Sequence, residues 1–468
     1  MATRRDLLQA HRFLGRRVHS ALVVHETDPE QPPLRRAAVA AWGSVALAVV
    51  ALVAVGAYGF FVPGGNNAWR DGEAVIVVKE TGARYVFVDQ RLHPVVNYPS
   101  ALLALGRNVP IRTVSRESLV GVARGPAIGI PDLPDTLPAA NRLATGGWSL
   151  CSQPATGPTG AAADTSVLLA GADPPGARPV GERALLVEVP ASGDEYLIWH
   201  GLRHQIRHTD TVAVGLALRA EPVARVGAAL VDVLPAGDAI APVPVRGSGR
   251  PSRAVPGRTD LRIGQLLVVD TGGERQHYLA EDDRLRPISP LQADVQLAAP
   301  VTVPAYPGDE PVLIPLGVSA AAAAATGGPE PSPGAPPATR PSFAPAGDGP
   351  VCVTYDDGSA VPRLRVGGVL PAETVPTRGR TDDGLPLADR VYVPPGRAAV
   401  AEVLPSATAP TGTLVLVSDQ GRAYPLATRD VLAVLGYAAV HPVRLPAGLV
   451  ARVPVGAGLD PAHARDPL

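Results

Sequence analysis

Three histidines in the middle of this 468-residue chain have a spacing that metal ligands often show. His200, His204 and His208 are four residues apart, which on a helix would align three imidazoles on one face. The stretch follows a predicted hairpin, however, where strand or turn is expected. We therefore interpret the three side chains as surface histidines and expect no metal site.

Three acidic doublets could supply the carboxylic acids of a hydrolase. They are Asp282-Asp283, Asp356-Asp357 and Asp382-Asp383. Hydrolase acids must converge in one cleft, whereas each of these doublets stands beside Gly or Arg in loop-like sequence. We interpret them as solvated turns and expect no catalytic residue among them.

The chain lacks the sequence of a phosphate-binding loop. Lys79 is the only lysine and is followed by Glu80, so no Gly-x-x-x-x-Gly-Lys-Ser/Thr motif can form and no cradle for phosphates and Mg²⁺ is predicted. A Gly-x-Ser-x-Gly elbow is also absent. The sequence favours a non-catalytic protein with no cofactor, and nucleotide hydrolysis is the less favoured interpretation.

Cys151 and Cys352 are the only cysteines. They are too few for a zinc site, but an even number with no spare thiol is compatible with a disulfide in an oxidising compartment. A bond across 201 positions would stabilise the fold by roughly 5 kcal/mol on the loop-entropy estimate. We expect this bond to connect the first half of the chain after residue 62 to the second half.

The overall composition excludes several classes of protein. Lys and Arg number 42 against 43 Asp and Glu, a net charge of −1, so no whole-chain field attracts nucleic acid and no such partner is expected. The 49 Gly and 52 Pro are many for a globular protein but too few for wholesale disorder. A coiled coil, a collagen-like fibre and a polytopic membrane protein are also excluded.

Residues 37–62 form a run of 26 residues without charge, which predicts a transmembrane helix. As a helix it would be about 39 Å long, enough to cross a hydrocarbon core of roughly 30 Å. Trp42 lies near one end and Tyr58, Phe60 and Phe61 near the other, as interfacial aromatics often do. A cleaved signal peptide is the less favoured alternative, because it would have a shorter apolar core and fewer residues before that core.

The distribution of arginines predicts the orientation of this helix. Seven arginines precede the apolar run, and only Arg70 follows it within about fifteen residues. The positive-inside rule therefore predicts a single-pass protein of the cell (inner) membrane. Its N terminus is expected in the cytoplasm and its C-terminal bulk outside.

Two features near the membrane could contact partners. Ala40, Ser44 and Ala48 form a ridge of small residues that would let another helix approach closely, although chance in an Ala-rich segment explains the pattern equally well. Residues 3–24 predict a basic amphipathic helix, with Thr3 and Asp6 as a weak capping box. Such an arm can lie on anionic lipid or dock on a partner.

A hairpin motif with a tyrosine recurs four times beyond the membrane, and each copy predicts two strands joined by a polar Gly turn. The copies are residues 74–88, 184–198, 265–279 and 412–426. The second strand begins at Tyr85, Tyr196, Tyr278 and Tyr424. The spacing is too irregular for a solenoid. We predict a mainly-β (α+β) ectodomain of four related lobes around a central core.

The composition predicts five segments. They are a cytoplasmic arm (1–36), the transmembrane helix (37–62), lobes 1–3 with part of the core (63–318), a linker (319–350), and the rest of the core with the fourth lobe (351–468). The linker is rich in Ala and Pro and cannot bury enough apolar surface to order itself, so we expect it to be mobile.

Several of these segments resemble a known family. They are RRVHSALV in the arm, DGEAVIVVKETGARYVFVDQRLHPVVNYPSALLALG after Trp69, and GIPDLPDTLP before Trp148 and Cys151. Together with the single span they resemble the EccB component of actinobacterial type VII (ESX-type) secretion systems. The resemblance is close over residues 1–155 and architectural beyond. The long linker and the diverged third and fourth lobes depart from the family.

The resemblance implies a structural subunit of a membrane complex that scaffolds the translocation machinery through its ectodomain and cytoplasmic arm. The implied partners are an EccC-type ATPase, the EccD and EccE subunits and other copies of the chain. Repeats of this family look like the wall-binding subunit of a phage lysin, so a peptidoglycan-binding anchor is an alternative. ATP hydrolysis, sometimes credited to the family, is a third.

Overall fold

The computed structural model describes residues 3–25, 35–61, 68–156, 160, 162–328, 330, 332–345 and 347–468. The chain divides into two compact units. The first comprises Met1–Asp71, Ile76–Gly82 and Arg112–Val122, and the second comprises Gly72–Val75, Ala83–Ile111 and Ala123–Leu468.

The α-helices and the strands are numbered in chain order. The helices are α1 (Arg4–Val24), α2 (Arg35–Phe61), α3 (Tyr98–Leu105), α4 (Thr209–Gly215), α5 (Ala228–Val233), α6 (Pro290–Leu297), α7 (Val318–Ala323), α8 (Val431–Val434) and α9 (Ala447–Val450). The first twelve strands are β1 (Val75–Val78), β2 (Arg84–Val88), β3 (Arg91–Pro94), β4 (Ile111–Val114), β5 (Leu143–Ala144), β6 (Trp148–Thr156), β7 (Ala162–Leu169), β8 (Arg178–Pro179), β9 (Leu185–Val189), β10 (Asp194–Trp199), β11 (Leu202–Gln205) and β12 (Val223–Arg225). The others are β13 (Leu266–Asp270), β14 (Arg275–Ala280), β15 (Leu285–Ile288), β16 (Leu313–Pro315), β17 (Val351–Tyr355), β18 (Arg363–Val366), β19 (Val375–Pro376), β20 (Arg390–Tyr392), β21 (Ala398–Leu404), β22 (Thr413–Ser418), β23 (Ala423–Pro425) and β24 (Val443–Pro446).

Two long helices dominate the first unit. Helix α2 contains Ala37–Tyr58, a stretch of mean hydropathy 2.4 that is long and apolar enough to cross a membrane, as the sequence predicted. Helix α1 coincides with the predicted amphipathic arm. At its start Thr3 donates from its N–H and Oγ1 to the Asp6 carboxylate, at 2.9 and 2.6 Å, and these bonds lower the pKa of Asp6. Residues 26–34 and 62–67 of the predicted segments lie outside the described residues.

Three lobes of the second unit share one sheet topology. They are lobe 2 (residues 184–240), lobe 3 (residues 265–328) and lobe 4 (residues 398–459). Their strand orders are β11-β10-β9-β12, β15-β14-β13-β16 and β23-β22-β21-β24. In each, three antiparallel strands are followed by a fourth that runs parallel to the first. The predicted mainly-β ectodomain of related lobes is therefore confirmed.

The first copy of the hairpin motif belongs to lobe 1, whose strands in chain order are β1 to β4. Residues 83–111 and 123–128 of this lobe belong to the second unit. Here β2 and β3 form an antiparallel hairpin that leads into α3. Asn97 caps this helix, because its side chain accepts the Ser100 N–H at 2.9 Å. Ser289 caps α6 in the same way through the Gln292 N–H. Both caps precede a proline in the first turn, where proline is tolerated, so these helix starts are encoded locally.

A seven-stranded sheet, ordered β19-β20-β7-β6-β17-β18-β8, joins the lobes. Lobes 2 and 3 are inserted in the chain between β8 and β17. Cys151 on β6 and Cys352 on β17 face each other across the antiparallel pair and form the predicted disulfide, with a Cα–Cα distance of 4.0 Å. The bond therefore lies at the base of the long insertion.

Apolar clusters show which lobes pack together. The largest cluster joins the central sheet to lobes 2 and 4, with Trp148, Val187 and Val417 among its members. A second joins lobes 1 and 4 through residues such as Leu102 and Leu416. A third joins α4 of lobe 2 to α6 of lobe 3. Lobe 3 otherwise forms its own small cores.

The described residues of segment 319–350 are packed along lobes 2 and 3, which corrects the expectation of a mobile linker. The N–H of Leu285 donates to the Ala325 carbonyl at 2.8 Å, and the N–H of Asp238 donates to Gly334 at 2.7 Å. Ala184 and Ala344 are also joined by a backbone hydrogen bond. The composition argument considered only the segment's own side chains, whereas its backbone is satisfied by strand edges of the lobes. The boundaries of the five predicted segments stay a prediction.

Candidate functional site

The surface of α2 carries the predicted ridge of small residues. Ala40, Ser44 and Ala48 lie at i, i+4 and i+8 on this helix, and their side chains are exposed. The Ser44 hydroxyl donates to the Ala41 carbonyl at 2.8 Å, which satisfies it within the helix. The ridge therefore presents a low, uncovered profile, and its contact with another helix stays a prediction.

The apolar side of α1 is also uncovered. Leu7, Leu14 and Leu22 are 66%, 63% and 73% exposed. The Arg17 guanidinium lies 5.7 Å from the centre of the Phe13 ring. These three leucines are therefore uncovered in the part of the chain that the structure describes, and the docking of α1 on a partner stays a prediction.

Three of the four predicted repeat tyrosines occupy equivalent positions, and the fourth does not. Tyr85, Tyr196 and Tyr278 lie on the second strand of their lobes, opposite a residue of the third strand. Tyr424 lies on the third strand, β23, and pairs with Leu416. The fourth predicted copy is therefore one strand out of register. Any two adjacent antiparallel strands give the same apolar-Gly-apolar pattern, and the longer turn after β21 conceals that β21 is the first strand of the lobe.

A ring packed on a glycine recurs in lobes 1, 2 and 4, and sequence reasoning missed it. Each ring stands on the third strand, and each glycine on the segment that follows the fourth strand. The pairs are His93 with Gly125, His204 with Gly237 and Tyr424 with Gly456, and a Cβ on any of these glycines would collide with the ring. The histidine Nδ1 atoms lie 3.1 and 2.9 Å from the carbonyls of Pro126 and Asp238. Only the recurrence of Gly after the fourth strand could have indicated it.

The three evenly spaced histidines are not aligned on a helix. His200 lies in the turn between β10 and β11, His204 on β11, and His208 immediately before α4. No group of three or more metal-ligating side chains occurs among the residues that the structure describes. His204 corrects the surface interpretation, because it is fully buried and burial lowers its pKa.

The acidic doublets stand on separate turns and pair with different arginines. Asp282 lies 3.4 Å from Arg253. Asp356 bonds Arg363 through both carboxylate oxygens. Asp357 accepts hydrogen bonds from Arg444, which lower its pKa. The arrangement brings no two doublets into one ion-pair network among the described residues.

These observations define a class of protein, namely one with a single candidate membrane helix followed by a disulfide-linked ectodomain of related β lobes. The family model "Type VII secretion system ESX-1, transport TM domain B" matches residues 1–466. The chain therefore belongs to the EccB family of type VII secretion systems.

Relatives align over part of their length. The chain is 34% identical over 233 residues to the "ESX-2 secretion system ATPase EccB2" of Mycobacterium tuberculosis, which covers 48% of this chain and 46% of the relative. It is 30% identical over 302 residues to the "ESX-5 secretion system ATPase EccB5" of Mycobacterium marinum, covering 62% and 58%. The chain thus spans about half the length of the curated relatives it matches.

Solved structures share the fold. One chain in the structure of an intact ESX-5 inner membrane complex has a TM-score of 0.65 and 23% identity, covering 100% of this chain and 96% of its own length. The structure of the EccB3 dimer from the ESX-3 core complex has a TM-score of 0.63 and 24% identity, covering 84% and 100%. At this level of identity the similarity concerns the fold.

Proposed function

We propose that this chain is a structural subunit of a type VII secretion complex in the inner membrane. The observation that carries the proposal is the family match along residues 1–466. The fold similarity to chains of ESX complexes supports it. In this function the chain catalyses no reaction but holds other subunits in place.

Helix α2 is the membrane anchor in this proposal. Its ridge of Ala40, Ser44 and Ala48 would pack against a helix of another subunit, because small residues let two backbones approach closely in lipid. The arginines before α2 favour an N terminus in the cytoplasm. The lobes would then stand on the opposite side of the membrane, where a disulfide persists.

Helix α1 is the cytoplasmic docking element. Its exposed apolar side would be covered by a cytoplasmic domain of the EccC-type ATPase, EccD or EccE. Removing leucines of this size from water stabilises a complex by about 1.5–3 kcal/mol each, less the cost of ordering the arm.

The ectodomain would provide the rigid frame of the complex. The Cys151–Cys352 bond closes a loop of 201 residues that contains lobes 2 and 3. It joins two strands at the centre of the seven-stranded sheet, so forces on the inserted lobes are carried by that sheet. Contacts between copies would use lobe surfaces.

Co-purification under mild detergent tests the docking step. The triple variant Leu7→Ser, Leu14→Ser and Leu22→Ser removes the apolar side of α1. The matched control, Arg5→Gln, Arg12→Gln and Arg16→Gln, changes three residues of the same helix outside that side. The leucine variant should still insert in the membrane but no longer co-purify with the other subunits. The arginine control should retain more of those subunits. Full co-purification of the leucine variant would refute the docking proposal.

The names of these relatives include the word ATPase, which makes nucleotide hydrolysis a second candidate. It is tested by titrating the purified full-length chain, free of the EccC-type partner, with ATP and Mg²⁺ in a calorimeter. We expect neither binding heat nor turnover, because Lys79 is not part of a phosphate-binding loop.

A further inference from the structure

A cavity of about 240 Å³ opens where the connection into lobe 2 meets the edge of the central sheet. Its apolar floor includes Val180, Ile198 and Leu364, which are buried. The lining also includes Arg183, Arg363 and Arg365. The lining therefore combines an apolar floor with three arginines.

The walls of the cavity are held in place from both sides. The turn after β10 ends at Gly201, whose φ is 75°, and a Cβ there would lie 2.6 Å from the Pro362 carbonyl oxygen. His200 in the same turn stacks on Trp199 with ring centres 3.9 Å apart. Its Nε2 lies 2.8 Å from the carboxylate of Glu182, whose side chain is 92% exposed. The only carboxylate of the lining thus extends into solvent and is already paired.

The guanidinium groups keep donors that no described acceptor uses. Arg365 lies 3.2 Å from Asp173 through Nη2, while its Nε is buried without an acceptor among the described residues. Arg183 donates from Nε to the Val180 carbonyl at 3.3 Å and forms no ion pair with an acid in the described part of the chain. Asp173 itself stands outside the lining. Arg365 Nε is therefore a buried donor without an acceptor, which is costly and marks a place where an acceptor is expected.

We propose that this cavity binds the terminal carboxylate of a short apolar peptide. Guanidinium groups bind carboxylates through paired, charge-assisted hydrogen bonds. The apolar floor then receives the last one or two side chains. Asp356 and Asp173, which hold Arg363 and Arg365 from outside, orient the donors. The proposal does not depend on the function proposed above.

Calorimetric titration of the full-length protein in detergent tests the site. The probes are N-acetyl-alanyl-alanine in its L,L and D,D forms, the corresponding C-terminal amides, acetate and inorganic phosphate. We expect saturable binding of at least one free-acid dipeptide and none of its amide. Arg183→Gln should weaken that binding at least tenfold, equivalent to about 1.4 kcal/mol. The matched control Arg178→Gln, an exposed arginine outside the lining, should leave it unchanged.

Several results would overturn the proposal. They are no saturation at about 10 mM of either dipeptide, equal affinity for the amide, acetate or phosphate binding as tightly as the dipeptide, and unchanged affinity in Arg183→Gln. A second variant, Arg365→Lys, keeps a charge beside Asp173 but lacks the Nε donor, and it should lose affinity as well. Should that variant not fold, the exposed Arg183 decides the question alone.

Discussion

Replacing Gly456 by alanine should destabilise lobe 4, because the new methyl group would enter the space of the Tyr424 ring. A Cβ at this position lies 2.6 Å from Cε1 and 2.8 Å from Cδ1 of the ring. Ordinary carbon–carbon contacts are about 3.5–4.0 Å. Either the ring or the backbone must therefore move by about 1 Å.

The surroundings of Tyr424 oppose such a movement. The residue is fully buried in the cluster that joins lobes 1 and 4, and its hydroxyl donates to the Asp132 carbonyl at 3.2 Å. Inserting a methyl group into a packed core costs about 1–3 kcal/mol. The backbone of Gly456 is not left-handed, so this cost is steric and involves no φ strain.

Thermal unfolding of the full-length protein in detergent measures the effect. A loss of 1 kcal/mol lowers the melting temperature by roughly 2–4 °C for a domain of 150–250 residues, so a fall of several degrees is expected. The matched control is Gly448→Ala in α9, where a Cβ would meet nothing within 4 Å. That change should be neutral or slightly stabilising, because alanine restricts the unfolded chain.

A double-mutant cycle identifies the ring as the cause. In a Tyr424→Ala background the same Gly456→Ala change should cost less by about 1 kcal/mol or more, because the two positions are in contact. Equal melting temperatures for Gly456→Ala and Gly448→Ala would refute the reasoning. So would an unchanged cost in the Tyr424→Ala background.

Three further predictions follow from burial, charge and the disulfide. Asp164→Asn should raise the melting temperature at pH 7, because burial and Asp389 raise the pKa of Asp164. The wild type should gain stability as the pH falls through that raised pKa, whereas the variant should not. Parallel pH profiles of the two melting temperatures would contradict the prediction. Burial lowers the pKa of His204, so the stability that its neutral ring contributes is present above the ordinary pKa of 6.5 and is lost as the pH falls below it. His204→Phe should flatten this decline of the melting temperature between pH 8 and 5, as measured by thermal unfolding. Cys352→Ser should lower the free energy of unfolding by up to roughly 5 kcal/mol. Urea unfolding of the variant is compared with that of the oxidised and the reduced wild type. Equal urea midpoints for these three samples would show that the disulfide does not stabilise the fold.

Much of the local structure could be predicted because neighbouring residues decide it. The uncharged run predicted α2, since a helix of that length and hydropathy needs no knowledge of distant residues. The hairpins at residues 184–198 and 265–279 follow from alternating apolar residues around a Gly turn. The disulfide pairing needed no choice, because only two cysteines exist.

Other features required contacts between residues far apart in the chain. Tyr424 was assigned to the wrong strand because the period-2 pattern is the same for any adjacent pair of strands. The segment at residues 319–350 was expected to be mobile because its composition does not reveal that the backbone of lobes 2 and 3 exchanges hydrogen bonds with it.

The sequence by itself therefore determined the candidate membrane helix, the amphipathic arm, the β-rich lobes and the disulfide between Cys151 and Cys352. Only the tertiary structure decided which strand each tyrosine occupies, how lobes pair, and where rings such as His93 and His204 pack on glycines. The physical reason is the distance along the chain over which each interaction acts. Helix and hairpin propensities act over a few residues, whereas a ring and its glycine meet only after the sheets have assembled.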